Sequence, residues 1–293
     1  GLVWASADSG STWTVMRGGT ASKIRAVVFT DSLHGWAATE HAVLQSTDGG
    51  RSWLRDATLR DRKTRRGFFG LSVVNEDTVF VAEDDVVMDW GLVPFWWGTI
   101  TIHRTTDGGR SWLPVHEVFH TYGRRWGATR MFFLDGLHGW HAGNRLGISS
   151  IRTTDGGGTW LSMDALPNDD YYAHPYGYSF ADSVTGWTVN VSGGVWHTTN
   201  GGGSWQLIHA DTIALTDIHM FDENEGWVTS HAGLLHTTDG GLSWQLAPTE
   251  HRLLALDFRE ERHGTAVGEG GVILRTTDRG ASWRPDSSRF TSD

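Results

Sequence analysis

Thr237-Thr238-Asp239-Gly240-Gly241-Leu242-Ser243-Trp244 is one of seven segments of the form S/T-x-D-x-G-x-S/T-W in this chain. The others span residues 6–13, 46–53, 105–112, 153–160, 198–205 and 276–283. Their third position is held by Asp8, Asp48, Asp107, Asp155, Asn200, Asp239 and Asp278, at successive spacings of 40, 59, 48, 45, 39 and 39 residues. A period near forty, filled with short apolar runs, is the mark of a propeller or another repeat array. The segment itself reads as a hairpin turn. Its carboxylate or amide accepts backbone N–H groups of its own turn, and its glycines take positive φ without a Cβ clash. The Trp then starts the next strand and packs its ring between sheets.

A second repeat precedes the first. It reads F-x-D-x-x-x-G-W at 29–36, 133–140 and 180–187. At 221–227 it reads as one residue shorter, and at 258–265 it keeps Phe258 and Gly264 but has Thr265 for Trp. In the second unit only Val79 and Phe80 are recognised from it. Each unit therefore predicts strand, polar turn, Gly-Trp strand, short turn, strand, Asp-bearing turn, and a strand opening at Trp. Four short antiparallel strands make one propeller blade. No segment sustains a 3.6-residue apolar period, so almost no helix is expected.

The expected fold is an all-β single propeller over residues 1–293. Six units have four strands, and the first Asp-bearing turn has only the outer two. A seventh, composite blade is predicted, closed by the two chain ends, with residues 290–293 as the start of an inner strand. A six-bladed ring with an extra hairpin is the competing arrangement.

Composition is consistent with a folded domain that needs no staples. The chain has 293 residues, 39% hydrophobic and 20% charged, enough to bury a sizeable core. There is no cysteine, which excludes disulfides, thiolate metal sites and cysteine nucleophiles. A net charge of −10 argues against a general nucleic-acid binder. There is no run of 18 apolar residues of the kind a membrane helix needs. The repeats account for the 17 Trp and 38 Gly. The first residue is Gly and no signal peptide is visible, so a processed or shortened N-terminus is expected.

The seven-fold segment is the Asp box, or BNR repeat. In its dense form here, T-T-D-G-G-x-S-W following G-W, the chain resembles the photosystem II stability/assembly-factor family of propellers. That resemblance covers nearly the whole chain. It implies a non-catalytic, seven-bladed protein without a cofactor. Such a protein docks on the periplasmic or lumenal side of a membrane complex, peripheral to the membrane or extracellular.

In a repeat scaffold the irregularities carry specificity. Phe80 to Asp107 takes 27 residues where other units take 12 to 15, and the excess falls at 83–98, read as an aromatic insertion loop with Trp90, Phe95, Trp96 and Trp97. Three successive links between units are also long. The first holds Arg60, Arg62, Lys63, Arg65 and Arg66, the second Arg124, Arg125 and Trp126, and the third Tyr171, Tyr172, Tyr176 and Tyr178. In a four-stranded blade the 2–3 loop and the link to the next blade share one end, opposite the Asp boxes. These segments are thus expected to form a partner-binding surface of Arg, Tyr and Trp, the residue types enriched at interface hot spots. The partner expected is a membrane protein complex, with contact of 90–97 at the membrane interface and no nucleic acid. The alternative for the aromatic segment is a local core folded over the blade edge.

Enzyme readings are weaker. His116-Glu117-Val118-Phe119-His120 matches H-E-x-x-H, but zinc binding by that motif needs a helix. This segment follows a box and is expected to be a strand, where residues i and i+4 lie about 13 Å apart. Calcium needs six to eight oxygens at one point, and one Asp per blade cannot supply them. Metal ligands are therefore not expected. The leading alternative function is a secreted carbohydrate-binding or glycoside-hydrolysing Asp-box propeller, for which Glu83, Asp84, Asp85, Asp169 and Asp170 are the available carboxylates. Such hydrolysis needs a carboxylate pair about 5–9 Å apart. His34, His138, His197 and His236 recur at repeat positions and read as turn or strand-surface residues.

Overall fold

The computed structural model describes residues 3–5, 14–16, 22–56, 59, 65–89, 95–121, 131–142, 150–164, 166, 175–249, 251–259 and 261–285. The chain divides into two compact units, one of Gly1–Ala5 and Trp13–Ser162, the other of Ser6–Thr12 and Met163–Asp293.

In the first unit, β1 (Val3–Ala5) and β2 (Thr14–Met16) pair as a hairpin, and three four-stranded sheets follow. Blade one is β3 (Ile24–Phe29), β4 (Gly35–Thr39), β5 (Val43–Ser46) and β6 (Leu54–Arg55). Blade two is β7 (Arg65–Val73), β8 (Val79–Asp89), β9 (Phe95–Thr105) and β10 (Leu113–Thr121). Blade three is β11 (Met131–Phe133), β12 (Gly139–His141), β13 (Ile151–Thr153) and β14 (Leu161–Ser162).

The second unit holds three more. Blade four is β15 (Gly177–Phe180), β16 (Gly186–Val189), β17 (Gly194–Thr198) and β18 (Gln206–Ala210). Blade five is β19 (Leu215–Met220), β20 (Gly226–Ser230), β21 (Gly233–Thr237) and β22 (Gln245–Pro248). Blade six is β23 (Leu253–Arg259), β24 (His263–Gly268), β25 (Ile273–Thr276) and β26 (Arg284–Pro285), with a 3₁₀ turn at Glu269–Gly271 as the helical element among the described residues. Every sheet is an antiparallel meander in chain order.

The fold is thus an all-β propeller of four-stranded antiparallel blades, and the blade count corrects the expectation. Six blades, not seven, are complete among the described residues. The first Asp box is flanked by two strands only, and Ile24 already opens blade one. Asp8 and residues 290–293, the intended partners in a composite blade, lie outside the described residues.

Six boxes share one hydrogen-bond pattern. In 237–244, Thr237 Oγ1 donates to Asp239 Oδ1 (2.8 Å) and accepts the Gly241 N–H (2.9 Å). Asp239 Oδ1 also accepts the Ser243 N–H (2.9 Å), and its Oδ2 accepts the Ser243 hydroxyl. Gly240 and Gly241 have φ of 73° and 91°, the left-handed region that glycine enters freely. The same set recurs around Asp48, Asp107, Asp155 and Asp278. Asn200 replaces the carboxylate and donates to the Ser204 hydroxyl instead.

The second repeat has an equally local cause. The Asp is an Asx-turn residue: Asp31 Oδ1 accepts the N–H groups of Leu33 and His34 at 2.6 and 2.7 Å. The Phe and Gly are direct cross-strand partners, Phe29 opposite Gly35, Phe133 opposite Gly139 and Phe180 opposite Gly186. A Cβ on Gly35, Gly139 or Gly186 would lie 2.5 Å or less from that ring, so the ring occupies the space a side chain would need.

This geometry revises the reading of two units. In blade five the residue opposite Gly226 is Met220, whose sulfur takes the ring's place, so the segment is not shortened. In blade two Val73 faces Val79, and Asn75 Oδ1 accepts the N–H groups of Asp77 and Thr78. The whole motif persists there as V-x-N-x-x-x-V-F. Glycine is dispensable where no ring stands opposite it.

The Gly-Trp tryptophans are core residues. Trp36, Trp140 and Trp187 are each 1% exposed and Phe80, at the same position, is fully buried. They anchor clusters between neighbouring blades, such as Trp36 with Phe68, Leu71, Val79 and Val81.

Candidate functional site

Blade two departs from its neighbours. Its strands run 9, 11, 11 and 9 residues, against 2 to 7 in the other blades. The growth is all at one end. Arg65 pairs with Val86, Val86 with Gly98, and Gly98 with His120; beyond them Asp89 pairs with Phe95 and Thr121 with Trp97. The opposite end carries the Asp box at 105–112 and the Asn75 turn. Of the sequence excess at 83–98, Glu83 to Asp89 extend β8 and Phe95 to Gly98 extend β9, with β7 and β10 drawn out beside them; residues 90–94 lie outside the described residues.

Among the proposed contact residues, Arg65, Arg66, Phe95, Trp96 and Trp97 are brought to this one end of blade two. Tyr176, just before β15 in the second unit, is 47% exposed. Tyr178 does not fit a contact surface: it is 8% exposed, its ring centroid 6.0 Å from Trp205 and 6.3 Å from Phe180. All four residues of β15 are buried, because an inner strand is covered on both faces. Arg60, Arg62, Lys63, Trp90, Arg124, Arg125, Trp126, Tyr171 and Tyr172 lie outside the described residues.

Glu83 is buried and is not a free carboxylate. Its Oε2 lies 2.8 Å from His103 Nε2, with side-chain exposures of 7% and 14%. Nothing in the local sequence announced this pair, which joins β8 to β9 twenty residues apart. His116, Glu117 and His120 of the H-E-x-x-H segment lie on β10, an extended strand. The His116 ring is 5.3 Å from Trp160, and burial lowers its pKa. His141 on β12 is 1% exposed, and burial pulls its pKa down to about 4. Among the described residues no three His, Asp or Glu side chains gather as a metal-holding group.

The box carboxylates are committed to their own turns. Hydrogen bonds from the following serine, first its hydroxyl, hold Asp48, Asp107, Asp239 and Asp278 at about 2. For Asp155 the Thr159 N–H is the leading cause of the lowering. These groups are anionic at neutral pH, and their oxygens are occupied by donors of the same loop. Among the described residues, no helix is long and apolar enough to cross a membrane.

Comparison with known proteins agrees with the motif reading. A family model described as photosynthesis system II assembly factor YCF48 matches residues 166–253. Comparison with curated proteins gives no match. Among solved structures, a YCF48 chain described as bound to D1 peptide aligns with a TM-score of 0.64 at 18% identity, covering 92% of this chain and 83% of that one. YCF48 from Cyanidioschyzon merolae gives 0.64 at 18% identity, with 94% and 88% covered. The WD40 propeller domain of Doa1 gives 0.61 at 12%, with 91% and 82% covered. At these identities the solved structures share the fold, whereas the family match is made on the sequence itself. Over residues 166–253, the chain is similar to the photosynthesis system II assembly factor YCF48 family.

Proposed function

We propose that this chain is a non-catalytic docking propeller. It binds the periplasmic or lumenal side of a membrane protein complex, a photosynthetic reaction centre, as an assembly factor or accessory subunit. The observation that carries this reading is the assembly-factor match over 166–253. A YCF48 chain of the same fold, described as bound to D1 peptide, supports a protein segment as the thing recognised.

The proposed contact surface is the lengthened end of blade two with the basic and aromatic segments that adjoin it in sequence. It comprises Arg60, Arg62, Lys63, Arg65 and Arg66, the aromatics Trp90, Phe95, Trp96 and Trp97, and Arg124, Arg125 and Trp126. Tyr171, Tyr172 and Tyr176 extend it; Tyr178 is left out as a core residue. Arg, Tyr and Trp are enriched at interface hot spots, where their contacts outweigh the about 0.5–1.5 kcal/mol that each immobilised long side chain costs. Among the described residues, the Asp-box carboxylates are held by hydrogen bonds of their own turns.

The test is gentle detergent purification from the native source with this chain as bait, followed by crosslinking mass spectrometry. Crosslinks from Lys63, or from Asp84, Asp85 or Asp89, to extramembrane loops of a photosynthetic complex are expected. A chain that elutes alone at monomer mass, with turnover of a chromogenic glycoside, would reject the reading.

A further inference from the structure

Asn200 stands where the six other boxes have Asp, and a glycine follows it. Asn200-Gly201 is the single Asn-Gly pair among the six asparagines of the chain. At such a pair the side-chain amide is open to attack by the next backbone nitrogen, because glycine has no Cβ to shield it. The reaction needs only water. The Gly201 nitrogen gives its proton to hydroxide and bonds to Asn200 Cγ; the Cγ–Nδ2 bond breaks and ammonia leaves, which closes a succinimide ring. Water then opens the ring. Addition at Cγ yields aspartate at position 200, and addition at the main-chain carbonyl carbon yields isoaspartate, with the chain rerouted through Cγ.

The folded box withholds the nucleophile. Gly201 is buried, and its N–H donates to the main-chain oxygen of Val184 at 2.7 Å. That bond ties the box to the turn between β15 and β16. The amide is held as well. Asn200 Oδ1 accepts the Thr198 hydroxyl and the Ser204 N–H, each at 2.9 Å, and Nδ2 donates to Ser204 Oγ at 2.9 Å. Thr198 Oγ1 also accepts the Gly202 N–H at 2.9 Å. A nitrogen that is buried and already donating does not lose its proton and turn onto Cγ, so attack waits for the box to open.

The other boxes do not share this reactivity. At Asp48 and Asp239, hydrogen bonds from the following serine hold the carboxylate at a pKa of about 2, and an anion is a poor electrophile. The amide of Asn200 is neutral. Its product, however, fits the box. Asp239 Oδ2 accepts the Ser243 hydroxyl, and a carboxylate at position 200 would take the Ser204 hydroxyl in the same way. A charge-assisted hydrogen bond then replaces a neutral one.

We infer that Asn200 is a spontaneous modification site, closed while the blade-four box is folded and deamidated when that box opens, and that the aspartate formed completes the box in the manner of its counterparts. This is independent of the docking function proposed above.

The experiment incubates the full chain in mildly alkaline buffer, with and without enough urea to unfold it. The peptide that carries position 200 is then read by mass spectrometry, and the Asn200→Asp chain is the standard that separates aspartate from isoaspartate by retention. Conversion at least about tenfold slower in the folded chain is expected. Thr198→Val and Ser204→Ala each remove a hydrogen bond of the amide. Both should speed conversion of the folded chain several-fold and leave the rate in urea unchanged; Ser204→Ala, at an exposed residue, serves if Thr198→Val fails to fold. Asn200→Asp should melt above the parent at neutral pH. Equal rates with and without urea overturn the proposal, as does a folded Ser204→Ala chain that converts no faster than the parent. An Asn200→Asp chain that melts at or below the parent overturns the claim that the product completes the box.

Discussion

Trp227 Nε1 donates to the main-chain carbonyl of Arg279, 3.1 Å away across two blades and 52 residues apart in sequence. A Cβ on the next residue, Gly280, would sit 2.4 Å from the same indole. Trp187 repeats the bond one blade earlier, donating to Gly240 at 2.8 Å. In the first unit a Cβ on Gly109 would fall 2.6 Å from Trp36. The two repeats are therefore two halves of one joint. In these three joints the Gly-Trp indole of one blade lies on the Asp-box glycines of the following blade.

Gly280→Ala tests that joint. The new methyl collides with the Trp227 indole and must also adopt φ 92°. Overpacking and left-handed strain together should cost about 2–4 kcal/mol, read from urea unfolding. Gly270→Ala is the control. Its φ of 71° is also left-handed, but nothing lies within 4 Å of the added Cβ, so only about 1–2 kcal/mol is expected. Equal losses for the two would mean that the indole contact contributes nothing.

Gly35→Val tests the cross-strand pair within a blade. A Cβ there meets the Phe29 ring at 2.5 Å, and the substitution alone should cost at least 3 kcal/mol. Combined with Phe29→Val it reproduces the arrangement that Val73 and Val79 already adopt in blade two. The double variant should be less destabilised than the sum of the singles by at least 1 kcal/mol in a double-mutant cycle. Strict additivity would show that the ring is not what demands glycine.

Acid should unfold the chain in two stages. Burial holds the folded-state pKa of His141 and His219 near 4, below the ordinary 6.5. Between those values the unfolded chain binds protons that the folded chain refuses, so stability falls as pH drops from 6.5 towards 4. The box aspartates act lower. Their folded pKa of about 2 against an ordinary 3.8 means that their contribution is whole above pH 4 and is lost as pH falls towards 2. Melting temperature against pH should show both declines. His141→Gln should make the first decline shallower, with His219 supplying what remains, and leave the second; a profile level from pH 7 to 4 in the parent chain would contradict the burial of both rings.

What the sequence made legible follows from how local each device is. An Asp box closes its hydrogen bonds within eight residues, so six of them are readable as turns without any tertiary information. The strand assignment of His116 and His120 was legible for the same reason, as the box fixes where the next strand begins. Met220 and the Val73–Val79 pair were missed because their likeness to the repeat lies in cross-strand geometry, not in residue type. Residues 83–89 and 95–98 read as loop because length alone does not distinguish a loop from longer strands. Tyr178 read as surface because it stands with three other tyrosines in a long link between units, yet it sits on a strand whose four residues are all buried. Arg279 pairs with Asp222, Glu225 and Glu261, up to 57 positions apart, and no local pattern records it.

The lengthened end of blade two gives the sharpest functional prediction. Arg65 and Arg66 sit at the start of β7, opposite Val86 and Asp85, and far along the blade from the box and the Phe-position core that stabilise it. Charge reversal by Arg65→Glu with Arg66→Glu should therefore lower affinity for an anionic partner segment by tenfold or more, with little change in melting temperature. Charge-steered association should also weaken as salt rises through the range where the screening length shrinks from about 30 to about 8 Å. The variant should lose that salt dependence. Trp96→Ala and Trp97→Ala, made separately, should slow association little and speed dissociation, as apolar anchors do. A reversed-charge variant that binds the complex as the parent does, at low and high salt alike, would remove the arginines of β7 from the interface. If the tryptophan variants instead lose the fold before the partner, the end of the hairpin is core and not contact surface.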